Sequence, residues 1–143
     1  MNKITTEKTT VEHVLNMTLR EHENVVYGKE SLCRLVSFST CVTYMADNDI
    51  LAIVGYMEKW DGVLEVYVLP SDHVANHGLE FLFKVRKALS NLFKCLPIHR
   101  MESSAWANDA TDAWMKALKF ECEGTLKKYT SYKHTYRMWA RFK

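Results

Sequence analysis

Asn108-Asp109-Ala110-Thr111-Asp112-Ala113-Trp114-Met115-Lys116-Ala117-Leu118-Lys119-Phe120 runs directly into Glu121-Cys122-Glu123-Gly124-Thr125-Leu126. Asn108 suits a helix N-cap, because its short side chain accepts a hydrogen bond from a first-turn amide. Thr111, Trp114, Met115 and Leu118 then recur at helical spacing and are the expected buried side. From Phe120 onward that period is lost and the chain reads as extended, so a capped helix feeds straight into a strand. Upstream, Ile98 to Ser104 reads as another strand after Pro97, and a helix from about Val74 carries Val74, Gly78, Leu82, Val85, Leu89 and Leu92 on one face. Ahead of it, Thr40 to Ala46, Ile50 to Trp60 and Val63 to Leu69 are separated by the turn signals Asp47-Asn48-Asp49 and Asp61-Gly62, which predicts a three-strand antiparallel meander. Leu32 to Phe38 is apolar but ambiguous. Thr10-Val11-Glu12-His13 has the form of a capping box, with His13 in the place usually taken by Glu, opening a helix to about Glu23.

The predicted order is therefore helix, three strands, helix, strand, helix, two strands: an α+β fold in which helices pack on a mixed, mostly antiparallel sheet. Composition agrees with one core spanning residues 1–143. Of 143 residues 48% are hydrophobic and 25% charged, with only five Gly and two Pro, which excludes a linker or disordered tail. A chain of this size buries enough surface to fold without disulfides or metal staples. Its longest apolar run, Ile50 to Met57, falls far short of the roughly 18 residues of a membrane span. Cys33, Cys41, Cys95 and Cys122 are scattered with no CxxC pair, as expected of reduced core thiols in a cytoplasmic protein. Cys95, between Phe93 and Leu96 on the sequence side of Pro97, is expected to be buried and inert.

Net charge is +2, too little to mark a nucleic-acid binder by itself. Thr125 to Lys143 nevertheless holds six basic residues and no acid, interleaved with Tyr129, Tyr132, Tyr136, Trp139 and Phe142. Such a mixture can stack bases and neutralise phosphates. The favoured reading is a terminal edge strand with one buried parity, Tyr132, His134, Tyr136, Met138 and Ala140, whose exposed Lys and Arg deter aggregation. That edge could also pair across a homodimer axis.

The element order and two motifs resemble the GNAT superfamily of acetyl-CoA-dependent N-acetyltransferases. Asn108, Thr111, Leu118, Phe120 and Glu123-Gly124 match a family pattern of Asn, a small residue, Leu-Gly-Phe and Glu-Gly, with Lys119 in place of the usual Gly. Val66-Tyr67-Val68-Leu69-Pro70-Ser71-Asp72-His73-Val74-Ala75-Asn76-His77-Gly78 is similar to the family's cofactor-binding strand, loop and helix start. His73 stands where the loop usually has Arg or Gln, and Asn76 at its first Gly; Gly78 is retained, for the cofactor or for close helix packing.

The resemblance implies acetyl-CoA as cofactor, held in a slot where strands splay apart. Its pyrophosphate would meet the backbone of Asn76, His77, Gly78 and Leu79, its pantetheine the backbone of Val66, Tyr67 and Val68, and its tail Asn108, with His73 beside the loop. Glu65 is the best available base for an attacking amine, and Met115 stands where many relatives have a tyrosine acid. A narrower similarity is to the small GNAT-like proteins of short-tailed bacteriophages, carried by Cys41 to Thr43, Ala52-Ile53, Gly55, Val68 and Ser71-Asp72. It implies an alternative: an inactive module acting in virion assembly, or binding a virion or host protein. His73 and His77 have metal-ligand spacing but no third partner, so no metal is expected.

Overall fold

In the computed structural model, which describes residues 3–143, each predicted strand of the meander is present. In chain order the elements are β1 Ile4–Lys8, α1 Val11–Asn16, α2 Glu21–Val26, α3 Gly28–Phe38, β2 Thr40–Ala46, β3 Asp49–Trp60, β4 Val63–Pro70, α4 Gly78–Cys95, β5 Arg100–Trp106, α5 Asp109–Ala117, β6 Glu121–Leu126 and β7 Tyr136–Phe142. The seven strands form one sheet in the order β1-β2-β3-β4-β5-β7-β6. Pairs β1/β2, β2/β3, β5/β7 and β6/β7 are antiparallel, and β4/β5, bridged by the α4 crossover, is parallel. Asp61-Gly62 turns β3 into β4 with Gly62 at φ +83°, a conformation that suits glycine.

Two compact units share these elements. One comprises the residues up to Met57 together with Tyr67–Phe81; its core is Val14, Met17, Leu19, Leu32, Val36, Ile50, Ile53 and Leu69. The other comprises Glu58–Val66 and Leu82–Lys143, and its buried residues include Val85, Leu89, Met101, Met115, Leu118, Phe120, Tyr136 and Trp139.

Several expectations are corrected. The first predicted helix is two short ones. Thr10 does cap α1, with His13 completing the box through its Nδ1, which accepts from Thr10 N–H at 3.1 Å. The chain then straightens at Met17 (ψ 148°), because Thr18 O accepts the Asp72 amide at 3.1 Å and Leu19 bridges to Ser71. The polar start of the chain holds an unpredicted edge strand, β1, of which only Ile4 is buried. The buried face of α4 runs through Phe81, Val85, Leu89 and Phe93. Val74 does not belong to it, since Val74–His77 is a tighter 3₁₀ turn with a different angular step.

The terminal strand β7 is not at the sheet edge. It lies between β5 and β6, with Trp139 and Ala140 buried. Its basic residues have inward duties: Arg137 pairs with Asp112, and Arg141 donates to Ser90 Oγ. An edge for pairing with another chain would have to be β1 or β6. All four cysteines are free, but they are not core thiols: Cys33 and Cys41 are half-buried, and Cys95, at the last turn of α4, and Cys122 are exposed. Among the described residues no helix is long and apolar enough to cross a membrane.

Candidate functional site

The loop that joins β4 to α4 is anchored by Ser71, which is fully buried. Its amide donates to Leu51 O at 2.8 Å, its hydroxyl donates to Ile50 O at 2.6 Å, and the same oxygen accepts the His73 amide at 3.1 Å. These bonds fix where the 3₁₀ turn Val74–His77 begins and therefore where α4 starts. His73 lies half-buried, its Nδ1 3.9 Å from Asp49 Oδ2.

α4 continues directly from the 3₁₀ turn Val74–His77, and Gly78 is its first residue. Leu79 is largely exposed. Gly78 has helical dihedrals, φ −53° and ψ −47°, and a Cβ built on it meets nothing within 4 Å. Neither left-handed geometry nor close helix packing accounts for this glycine, which removes the packing explanation. The Asn76 amide is not available as expected: it donates to His73 O at 3.2 Å within the 3₁₀ turn. Nor does Asn76 have the positive φ for which a glycine is used. Glu80, in the first turn of α4, and the exposed Asp72 of the loop are charges nearby in sequence that oppose an anion.

Residues Val66, Tyr67 and Val68 belong to β4 beyond its ladder with β5, which consists of Val63↔Arg100, Leu64↔Met101 and Glu65↔Glu102. The Tyr67 side chain is engaged elsewhere. Its hydroxyl lies 2.5 Å from Ser39 Oγ, and because Ser39 donates its own proton to Leu35 O, Tyr67 is the donor. Burial pushes the phenol well above its usual range, so it stays protonated. Gly55 makes room for it: a Cβ there would lie 2.5 Å from Tyr67 Cζ and 2.8 Å from Cys41 Cβ.

In the second unit, Glu65 is exposed and stands in register with Glu102, which is buried. Glu102 accepts from Lys59 Nζ at 2.8 Å and from Arg100 Nε at 3.2 Å, and Arg100 also forks onto Glu123. Burial alone would raise the Glu102 pKa, but the two cationic donors outweigh it and hold the carboxyl below its usual range. Lys59 is correspondingly raised, chiefly by its hydrogen bond to Glu102. The sequence gives no hint of this network, since its members are spread over three strands and only Arg100 and Glu102 alternate on one strand face.

Asn108 is the N-cap of α5: Oδ1 accepts the Thr111 amide at 2.9 Å, while Nδ2 reaches Trp106 O at 3.4 Å. Met115 and Leu118 are buried as expected, with Thr111 and Trp114 only half-buried. Met115 offers a thioether and no proton. Of the predicted site residues, Tyr67, Val68, His73, Asn76, His77, Gly78 and Leu79 lie in the first unit, and Glu65, Val66 and Asn108 in the second.

No family model and no curated protein matches the sequence. Solved structures do match the fold. Ard1 from Thermoplasma volcanium superposes with a TM-score of 0.79 at 11% identity, covering 97% of this chain and 97% of that one. A GNAT-family acetyltransferase from Bacillus anthracis gives 0.71 at 13% identity over 99% and 98% of the two chains. RimL, a ribosomal L7/L12 alpha-N-protein acetyltransferase in complex with coenzyme A, gives 0.69 at 14% identity over 97% and 93%. At such low identity the shared property is architecture, and it extends over nearly all of each chain: this protein has the GNAT acetyltransferase fold.

Proposed function

We propose that this protein binds acetyl-CoA at the start of α4 and transfers its acetyl group to an amine. The observation that carries the reading is Gly78, a helical glycine in open space. Glycine there costs about 0.5–1 kcal/mol relative to alanine, and nothing in the fold requires it. What it leaves is a helix start with no side chain over its amides, which a pyrophosphate can approach as it does helix N-termini generally. His73 and His77, both half-buried, and the exposed Asn76 precede it in the chain. Val66 to Val68 would offer pantetheine a strand edge. When bound, the cofactor supplies an activated acyl group as a thioester.

Glu65 is the exposed carboxylate of β4 suited to take the proton of an attacking amine, directly or through a water. Met115 cannot take the tyrosine acid's role, having no proton to donate, and Tyr67 is committed to Ser39. The narrower phage resemblance rests on the sequence segments given above, and the assembly or partner-binding role it suggests is the alternative to catalysis.

Isothermal titration with acetyl-CoA and CoA tests the proposal. Binding in the micromolar range is expected for the wild type, and Gly78→Glu, which sets a carboxylate among those amides, should abolish it without lowering the melting temperature appreciably. No heat at millimolar ligand would overturn the acetyltransferase reading in favour of a protein-binding module.

A further inference from the structure

Arg20, Arg34, Arg100 and Arg137 each pair with a carboxylate. Arg86 on α4 and Arg141 on β7 do not, among the described residues, although both are half-buried and both belong to the second unit. They converge on one stretch of α4. Arg141 donates through Nη2 to Ser90 Oγ at 2.6 Å and through Nη1 to Arg86 O at 3.5 Å; Ser90 in turn donates to Arg86 O at 3.0 Å. Arg86 reaches Ala117 O, at the end of α5, through Nη1 at 3.5 Å. Phenylalanine rings cover the guanidinium faces: Phe83 lies 5.1 Å from Arg86 and Phe93 5.7 Å from Arg141.

A guanidinium is always charged and carries five N–H donors in one plane. Ring stacking satisfies its faces but not its edges. The Nε/Nη2 edge of Arg86 and the Nε of Arg141 have no acceptor among the described residues. None of these unpaired nitrogens is sealed from water, so an anion can reach them from solvent. Partial burial and, after it, the neighbouring Arg86 charge depress the Arg141 pKa.

We infer that Arg86 and Arg141 form a binding site for a phosphate group, which takes the Nε/Nη2 fork of Arg86 side-on and the Nε of Arg141 as a third donor. A dianion matches the two charges, and its several oxygens match donors diverging from two side chains better than a carboxylate does. Ser90 is the positioning residue that holds Arg141. The site shares no residue with the loop around Gly78, and it stands or falls independently of acetyl-CoA binding.

The test is a side-chain Nε–H NMR titration of the full chain with sodium phosphate, against sodium chloride at matched ionic strength. Saturable shifts of Arg86 and Arg141 with phosphate are expected, with affinity falling about tenfold or more in Arg86→Gln, whose melting temperature reports that it is folded. A parallel titration with ADP separates the sources: tighter saturation than with phosphate assigns a nucleotide-borne group, and equal or weaker saturation assigns the free ion. Shifts that do not saturate, that chloride reproduces, or that persist unchanged in Arg86→Gln would overturn the site.

Discussion

Two glycines of the first unit are opposite in kind. Gly55 is filled space, its missing Cβ replaced by the Tyr67 ring, whereas Gly78 is open space. Gly55→Ala should therefore destabilise the protein by about 1–3 kcal/mol through overpacking. In a Tyr67→Val background, where the ring is gone, the same change should cost much less; additive losses in a urea-melt cycle would contradict the argument. Gly78→Ala should instead raise stability by about 0.5–1 kcal/mol, because its dihedrals already suit alanine. At this scale the sequence was half legible. Gly78 is visible as the last glycine of a loop pattern, but the purpose of Gly55 depends on a tyrosine twelve residues away that only strand pairing brings opposite it.

The end of α5 explains the one departure from the Leu-Gly-Phe pattern. Lys119 adopts φ +73°, its amide donates to Lys116 O at 3.0 Å, and the Phe120 amide donates to Met115 O at 3.0 Å. This is the paired bonding by which helices end in a left-handed residue, a place that glycine fills without strain. Lys119→Gly should stabilise the protein by about 1 kcal/mol, read as a higher urea midpoint with unchanged slope; a loss of stability would show that the lysine side chain contributes more than its backbone strain costs. Elements with strong local signals were read correctly: the Asn108 cap, the Asp61-Gly62 turn and the alternating meander strands. The errors lie where long-range pairing overrides local pattern. Met17 to Arg20 follows a helical period but is drawn straight by Ser71 and Asp72, and β1 shows one buried residue in five because it is an edge. The Lys59, Glu102, Arg100 and Glu123 network was illegible for the same reason.

For the molecule as a whole, that network sets a dependence on acid. The folded-state pKa of Glu102 lies below the ordinary carboxylate value of about 4.3. Its contribution to stability is present above that value and lost as pH falls through the folded-state pKa. Glu102→Gln should be less stable than the wild type at neutral pH but show a flatter decline below about pH 5 in urea melts. Parallel curves for the two proteins would remove Glu102 from the acid response.

The placement of β7 bears on how the chain is made. Because synthesis runs from the N-terminus, β5 and β6 both emerge from the ribosome before the strand that joins them. One flank of β5 stays unpaired, and β6 has no neighbour at all, until the residues up to Phe142 have left the ribosome. The second half of the sheet therefore cannot be completed strand by strand during translation, and a chain released after Leu126 presents a bare strand edge of the sort on which incomplete proteins aggregate.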